Sequence, residues 1–128
     1  MSTSGHSGLV LNLAGEGESV GAVDINNLIL PRLPPTRWAR PGRFIKGDIT
    51  ALPVRGACVL EVIGTRLPMM TSEDRASVAS ETFRVLRTGG TARLHSSSDG
   101  GDLWQDDLRA AGFRGGTLDG IHWTGVKP

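Results

Sequence analysis

Tyrosine is absent from this chain, and cysteine occurs once, at Cys58. A lone cysteine excludes an internal disulfide and a thiolate metal cluster, and it suits a reducing, cytoplasmic compartment. Three histidines, scattered at His6, His95 and His122, have none of the spacings that build a metal site. Aromatic residues are only 5% of the composition, so aliphatic side chains must fill most of the core. No apolar run approaches the roughly 20 residues that cross a bilayer, and the N-terminal MSTSGHSG lacks the basic and apolar regions of a signal peptide. Charge of either sign is not in excess: the net value is +1, which leaves no electrostatic footprint for nucleic acid or a membrane surface.

Glycine, by contrast, is abundant, with 18 residues beside seven prolines, and predicts many turns between short elements. With 38% hydrophobic and 21% charged residues the chain has a globular composition, which argues against wholesale disorder. Its 128 residues suit one domain, expected over residues 9–128 behind a flexible lead-in at 1–8.

The stretch Thr71 to His95 reads as helix, glycine turn and strand. Ala76, Ala79, Phe83 and Leu86 recur at three- and four-residue steps on one helix face. Thr71 suits the N-cap, Glu73 and Asp74 suit the first turn, and Arg84 and Arg87 suit the last. Gly89-Gly90 is expected to end that helix in a left-handed turn before a strand over Thr91–Leu94. Further on, Asp102 is expected to cap a helix from Leu103 to Ala111, with Trp104, Leu108 and Ala111 inward and Gly112 closing it. Thr117–Asp119 and Ile121–Val126 then read as a terminal hairpin.

Earlier in the chain, Leu9 to Leu13 is a compact apolar run suited to a buried strand, followed by the polar, glycine-bearing turn Ala14 to Ser19. Val20 to Ile25 reads as a second strand, and Asp24 lies only 12 positions after Asn12. That interval is too short for the usual crossover helix between parallel strands. Either the first helix is missing or the two strands pair antiparallel through a tight turn. Four prolines between Asn26 and Pro41 forbid a long helix there. Residues 32–43, with Arg32, Arg37, Arg40, Arg43 and Trp38, hold the basic cluster, read as solvated arginines before a phosphate site. Phe44 to Ile49 and Ala57 to Ile63 complete the strand candidates, with Gly64 to Met70 as a loop. Glu61 inside an apolar strand reads as a paired residue before a general base, and His95 lies at a strand end where site residues occur in α/β sheets.

Four of these segments together resemble class I, Rossmann-like S-adenosylmethionine-dependent methyltransferases. Leu11 to Glu18, LNLAGEGE, is similar to the first strand and glycine loop of that family, with Asn12 at its acidic position and Ala14 and Glu16 at two glycine positions. Gly47-Asp48 before Leu52-Pro53, Val85 to Gly90 and "AGF" at Ala111–Phe113 are similar to three further family segments, Thr88 standing at the family's proline. The resemblance implies an α/β fold: a minimal Rossmann-like sheet, mostly parallel, with an antiparallel C-terminal hairpin and the first crossover helix missing. It implies S-adenosylmethionine as cofactor, bound around Asn12, Ala14, Gly15, Gly17, Asp24 and Asp48, with Asp24 on the ribose, Asp48 on the adenine and the Ala14–Gly17 backbone around the methionine part. No catalytic residue and no substrate, small or macromolecular, is assigned. The filled glycine positions favour an alternative, a degenerate module that keeps the scaffold for binding or forms a homo-oligomer over the missing helix. LNLAGEGE with the LP element also resembles methyltransferase-like modules of bacterial polymorphic (Rhs-type) toxins, which would imply a secreted effector.

Overall fold

A computed structural model of the chain describes residues 8–14, 22–26, 44–67, 70–96, 101–119 and 122–128. Seven strands, β1 (Val10–Leu13), β2 (Val23–Asn26), β3 (Phe44–Lys46), β4 (Val59–Leu67), β5 (Leu86–Ser96), β6 (Arg114–Asp119) and β7 (His122–Val126), share one sheet. Among the described residues there are two helices, α1 (Ser72–Val85) between β4 and β5, and α2 (Gly101–Ala111) between β5 and β6. The strand order is β3-β2-β1-β4-β5-β7-β6, and β7 alone runs against its neighbours. The chain therefore starts near the centre, works outward to β3, returns to β4 beside β1 and works outward again. Between β1 and β4 lies the point where the order reverses, and ligands of open α/β sheets bind at the carboxyl ends of the strands there.

The open choice about the first two strands resolves as parallel, with Leu11 opposite Val23 and Leu13 opposite Ile25. Their connection, residues 14–22, is shorter than the dozen or more residues that a helical crossover takes.

Both helices cover one face. The core there joins Leu11, Leu13, Ile25, Val62, Ala92 and Leu94 of the sheet to Val78, Ala79 and Val85 of α1 and Trp104, Leu108 and Phe113 around α2. On the opposite face of β4, β5 and β7 the alternating positions are mixed: Glu61, Thr91 and Thr124 are half-buried and Arg93 and Val126 are exposed, while Ile63 is buried. Sheets covered on both faces carry near-continuous apolar strands. Here the sheet is apolar on one side and mixed on the other, with Asn12, Asp24 and Ile63 buried on the mixed side.

Helix α1 starts as the sequence dictates: Thr71 is the N-cap, its hydroxyl accepting from the Asp74 N–H, with Glu73 and Asp74 in the first turn. Its inner face differs from the expected one. Val78, Ala79, Thr82 and Val85 are buried, while Ala76 is exposed and Leu86 already belongs to β5. The helix stops at Val85, so Arg87 lies outside it and Gly89-Gly90 do not form its cap. Instead the last carbonyls find partners elsewhere: Arg84 O accepts from Ala57 N, Val85 O from Cys58 N, and Lys127 Nζ donates to both Phe83 O and Leu86 O at 2.7 Å. A lysine ammonium is favoured at that negative helix end, and it also sits 4.7 Å from the Phe83 ring centre.

The glycine pair serves an irregularity inside β5. Val59 pairs with Leu86, but Glu61 already pairs with Thr91, so β5 carries extra residues against β4. Gly89 takes φ +85°, and a Cβ on Gly90 would stand 2.9 Å from the Arg87 and Leu60 carbonyl oxygens. Helix α2, by contrast, ends on glycine as expected. Phe113 N donates to Leu108 O and Gly112 N to Arg109 O, the Schellman pattern, with Gly112 at φ +120°. Phe113 then meets Phe83 edge to face, ring centres 5.2 Å apart. Strand β4 runs on to Leu67 where a loop was expected after Ile63, and β6 begins at Arg114, before Thr117.

The glycine pair gives a direct test. Gly90→Ala should lose about 2–3 kcal/mol in urea unfolding, because backbone atoms cannot yield to the added methyl. Gly89→Ala, with open space around its Cβ, should lose only about 1 kcal/mol through left-handed strain. Equal losses, or the reverse order, would remove the assigned role of the pair.

Candidate functional site

The carboxyl ends of β1, β2 and β3 gather the residues that carry a candidate site. In-register pairing sets Asn12 directly beside Asp24 on one side and Ile63 on the other. Residues opposite one another in neighbouring strands project to the same face, so the two polar side chains must meet. Asn12 Nδ2 donates to Asp24 Oδ1 at 3.2 Å, and both residues are buried, Asn12 completely and Asp24 to 5% exposure. Asn12 Oδ1 is buried and has no hydrogen-bond partner among the described residues. An unpaired polar atom in such a place costs about 1–3 kcal/mol.

One residue further, Ala14 takes φ 57° and donates its N–H to Ile25 O at 2.7 Å. The left-handed conformation explains why a glycine suits this position: the chain keeps the glycine geometry and carries the strain of a Cβ there. Gly15, Glu16 and Gly17 lie outside the described residues, as do the basic cluster from Arg32 to Arg43 and the proline-rich span around it.

Asp48 follows β3, two strands from β1 and so roughly 10 Å along the same edge. It is exposed, and its Oδ1 accepts from both the backbone N–H (2.8 Å) and the hydroxyl (2.7 Å) of Thr50, while Ala51 N donates to its carbonyl. This is an Asx-type turn, and the Thr50 hydroxyl, then the Thr50 N–H, hold the carboxyl below its usual range. Asn12, Ala14 and Asp24 thus form one cluster, and Asp48 stands apart at the rim of the same edge.

Other candidates fall elsewhere. Glu61 is half-buried opposite Val10, at the start of β1 and away from the carboxyl edge, which removes it from the site. His95 is half-buried near the carboxyl end of β5. A depression of about 470 Å³ among Arg109, Gly112, Phe113, Arg114 and Gly115 lies at the amino end of β6, on the edge opposite the cluster.

The sequence reading passed over one feature. On α1, Arg84 forks onto Glu81, Nε to Oε2 at 2.7 Å and Nη2 to Oε1 at 2.9 Å, and does more than complement the helix end. Glu81 Oε1 accepts from Leu52 N (2.7 Å), and Arg84 Nη2 donates to Leu52 O (3.0 Å). The Arg84 guanidinium holds the Glu81 carboxyl below its usual range against the opposing effect of burial. The i, i+3 spacing of the ion pair was visible in the sequence; its attachment to Leu52 is a tertiary contact and was not.

Comparison with solved structures places this architecture. A chain of the complex between the Haloferax volcanii Trm112 methyltransferase activator and a methyltransferase aligns over 95% of this chain and 82% of its own, with TM-score 0.73 at 15% identity. The antibiotic-resistance methyltransferase Kmr aligns over 97% and 88%, with TM-score 0.67 at 19% identity. The [4+2]-cyclase SpnF aligns over 84% of this chain and 51% of its own, with TM-score 0.61 at 19% identity. No protein-family model and no curated protein matches the sequence. The chain has the fold of the class I S-adenosylmethionine-dependent methyltransferases, a seven-stranded α/β sheet in a minimal, two-helix form among the described residues. The likeness to toxin modules gains no support.

Ala14 yields a second test. Ala14→Gly should raise stability to unfolding by up to about 1 kcal/mol, because it releases the left-handed strain. A loss of stability would mean that the Ala14 backbone is not held where the glycine position requires.

Proposed function

We propose that this chain binds S-adenosylmethionine at the carboxyl edge of β1, β2 and β3 and acts in methyl transfer. What carries the reading is the buried Asn12–Asp24 pair with an unsatisfied Asn12 Oδ1, set beside the reversal of strand order. A buried polar atom without a partner costs free energy and calls for an explanation, and at the strand-order reversal a bound ligand supplies one. The donor set suits an adenosyl ligand. Asp24 supplies acceptors for ribose hydroxyls, the rim carboxylate of Asp48 supplies one for the adenine amino group, and Asn12 Oδ1 faces the methionine side as a further acceptor. Ala14, Gly15 and Gly17 carry the backbone turn around that part.

When bound, S-adenosylmethionine supplies a methyl group on an electron-poor sulfonium. The chain's own residues then have to hold the two reactants in line and exclude water, and well-oriented proximity alone lowers such barriers by several kcal/mol. No general base is needed for an acceptor that is already nucleophilic, and none is assigned. The acceptor is a small molecule or a macromolecule; an antibiotic-resistance methyltransferase and a complex with a methyltransferase activator are among the structures that share this fold. The SpnF likeness keeps binding and methyl transfer as separate questions, because fold alone does not fix the reaction.

The test is calorimetric titration of the protein with S-adenosylmethionine and S-adenosylhomocysteine. Micromolar affinity is expected, weakened about tenfold or more in Asp24→Ala through loss of charged hydrogen bonds to the ribose. Absence of binding up to millimolar ligand, or full binding by Asp24→Ala, would overturn the proposed site.

A further inference from the structure

We propose that the Glu81–Arg84 ion pair on α1 is the positioning element for the adenine-reading turn at Asp48. The inference rests on the reading of Asp48 given above. Residues 47–58 link β3 to β4 without strand or helix, so nothing in the sheet ladder fixes the turn that begins there. Three attachments replace the ladder. The Pro53 ring packs against Gly47, close enough that a Cβ on Gly47 would stand 3.0 Å from Pro53 Cγ. Asp48 is closed onto Thr50 and Ala51 by the Asx-type bonds. The next residue, Leu52, has both its backbone N–H and its carbonyl taken by the side chains of Glu81 and Arg84.

That third attachment has an unusual economy. The fork between Glu81 and Arg84 makes one rigid, planar unit, and that unit presents an acceptor and a donor at the spacing of a single peptide residue. Arg84 also accepts Ala57 N on its carbonyl, so one residue of α1 holds the linker at two points. With Leu52 fixed and its side chain buried in the core, the short arc back to Asp48 has little freedom. Both Thr50 bonds go to Oδ1, and Oδ2 of Asp48 is thereby set in direction while the carboxyl remains exposed. An acceptor of fixed direction favours an exocyclic amino group and disfavours a carbonyl oxygen in its place, which separates adenine from hypoxanthine. Glu81 and Arg84 touch neither ligand nor reacting atoms; they act through the turn.

The experiment compares S-adenosylhomocysteine with S-inosylhomocysteine, its deaminated counterpart, on the wild-type protein, Glu81→Gln and Arg84→Met. The wild type should prefer the adenine ligand by about tenfold, the value of one hydrogen bond to an exposed carboxylate. Both variants should bring that ratio down to about threefold or less while the affinity for the inosyl ligand stays within about twofold. Glu81→Gln keeps shape and an acceptor, and Arg84→Met keeps the aliphatic stem, so each guards against misfolding of the other. A variant that weakens both ligands in proportion acts through general stability and overturns the positioning role. An unchanged ratio in both variants overturns it while leaving the Asp48 reading in place. A wild type that binds both ligands equally, or neither, overturns the Asp48 reading and this inference together.

Discussion

Two polar side chains meet inside the sheet because parallel pairing puts residue 12 opposite residue 24, and the rest of the structure is arranged around that meeting. The pair sits on the inner strands, β1 and β2, where a polar group has no water to turn to. Asparagine at position 12 brings a donor to the Asp24 carboxylate; a second carboxylate there would bring like charges to hydrogen-bond distance, and one would have to hold a proton. The same amide leaves its oxygen without a partner among the described residues, on β1, one of the two strands between which the order reverses. A short β1–β2 connection makes the arrangement more demanding, since residues 14–22 must return the chain in parallel without room for an ordinary crossover helix.

The helix-covered face carries the apolar core among the described residues. Aliphatic side chains of β1, β4 and β5 pack against α1 and α2, while the other side of β4, β5 and β7 carries Glu61, Thr91, Arg93 and Thr124. The end of α1 is the common anchor. Its carbonyls are taken by the backbone of residues 57 and 58 and by Lys127, and its Glu81 and Arg84 side chains take Leu52. The β3–β4 linker and the end of the last strand are thus tied to one helical turn.

The sequence revealed what local chemistry determines. Thr71 with its acidic first turn, and Gly112 ahead of Phe113, carry their meaning within a few residues, and both were legible. Gly89-Gly90 misled because a glycine pair after an apolar-periodic stretch serves a helix cap and a strand irregularity equally well. The difference lies in the Leu60 carbonyl that crowds Gly90, which is distant in sequence. Strand direction for β1 and β2 was likewise undecidable, since it is set by the partner and not by either strand. The segment order, the strand-end positions of Asn12, Asp24 and Asp48, and the glycine position of Ala14 were readable through the family resemblance; the Asn12–Asp24 bond and the Leu52 attachment were not, being contacts between strands or between linker and helix. Gly15 and Gly17 stay with the proposal.

The most direct test of the account is a two-dimensional amide NMR titration of the ¹⁵N-labelled protein with S-adenosylhomocysteine. Perturbations concentrated at Asn12–Ala14, Ile25 and Asp48–Ala51 are the predicted result, because the ligand would meet the buried pair and the rim turn together. Perturbations confined to the Arg109–Gly115 edge, or none at saturating ligand, would contradict the account.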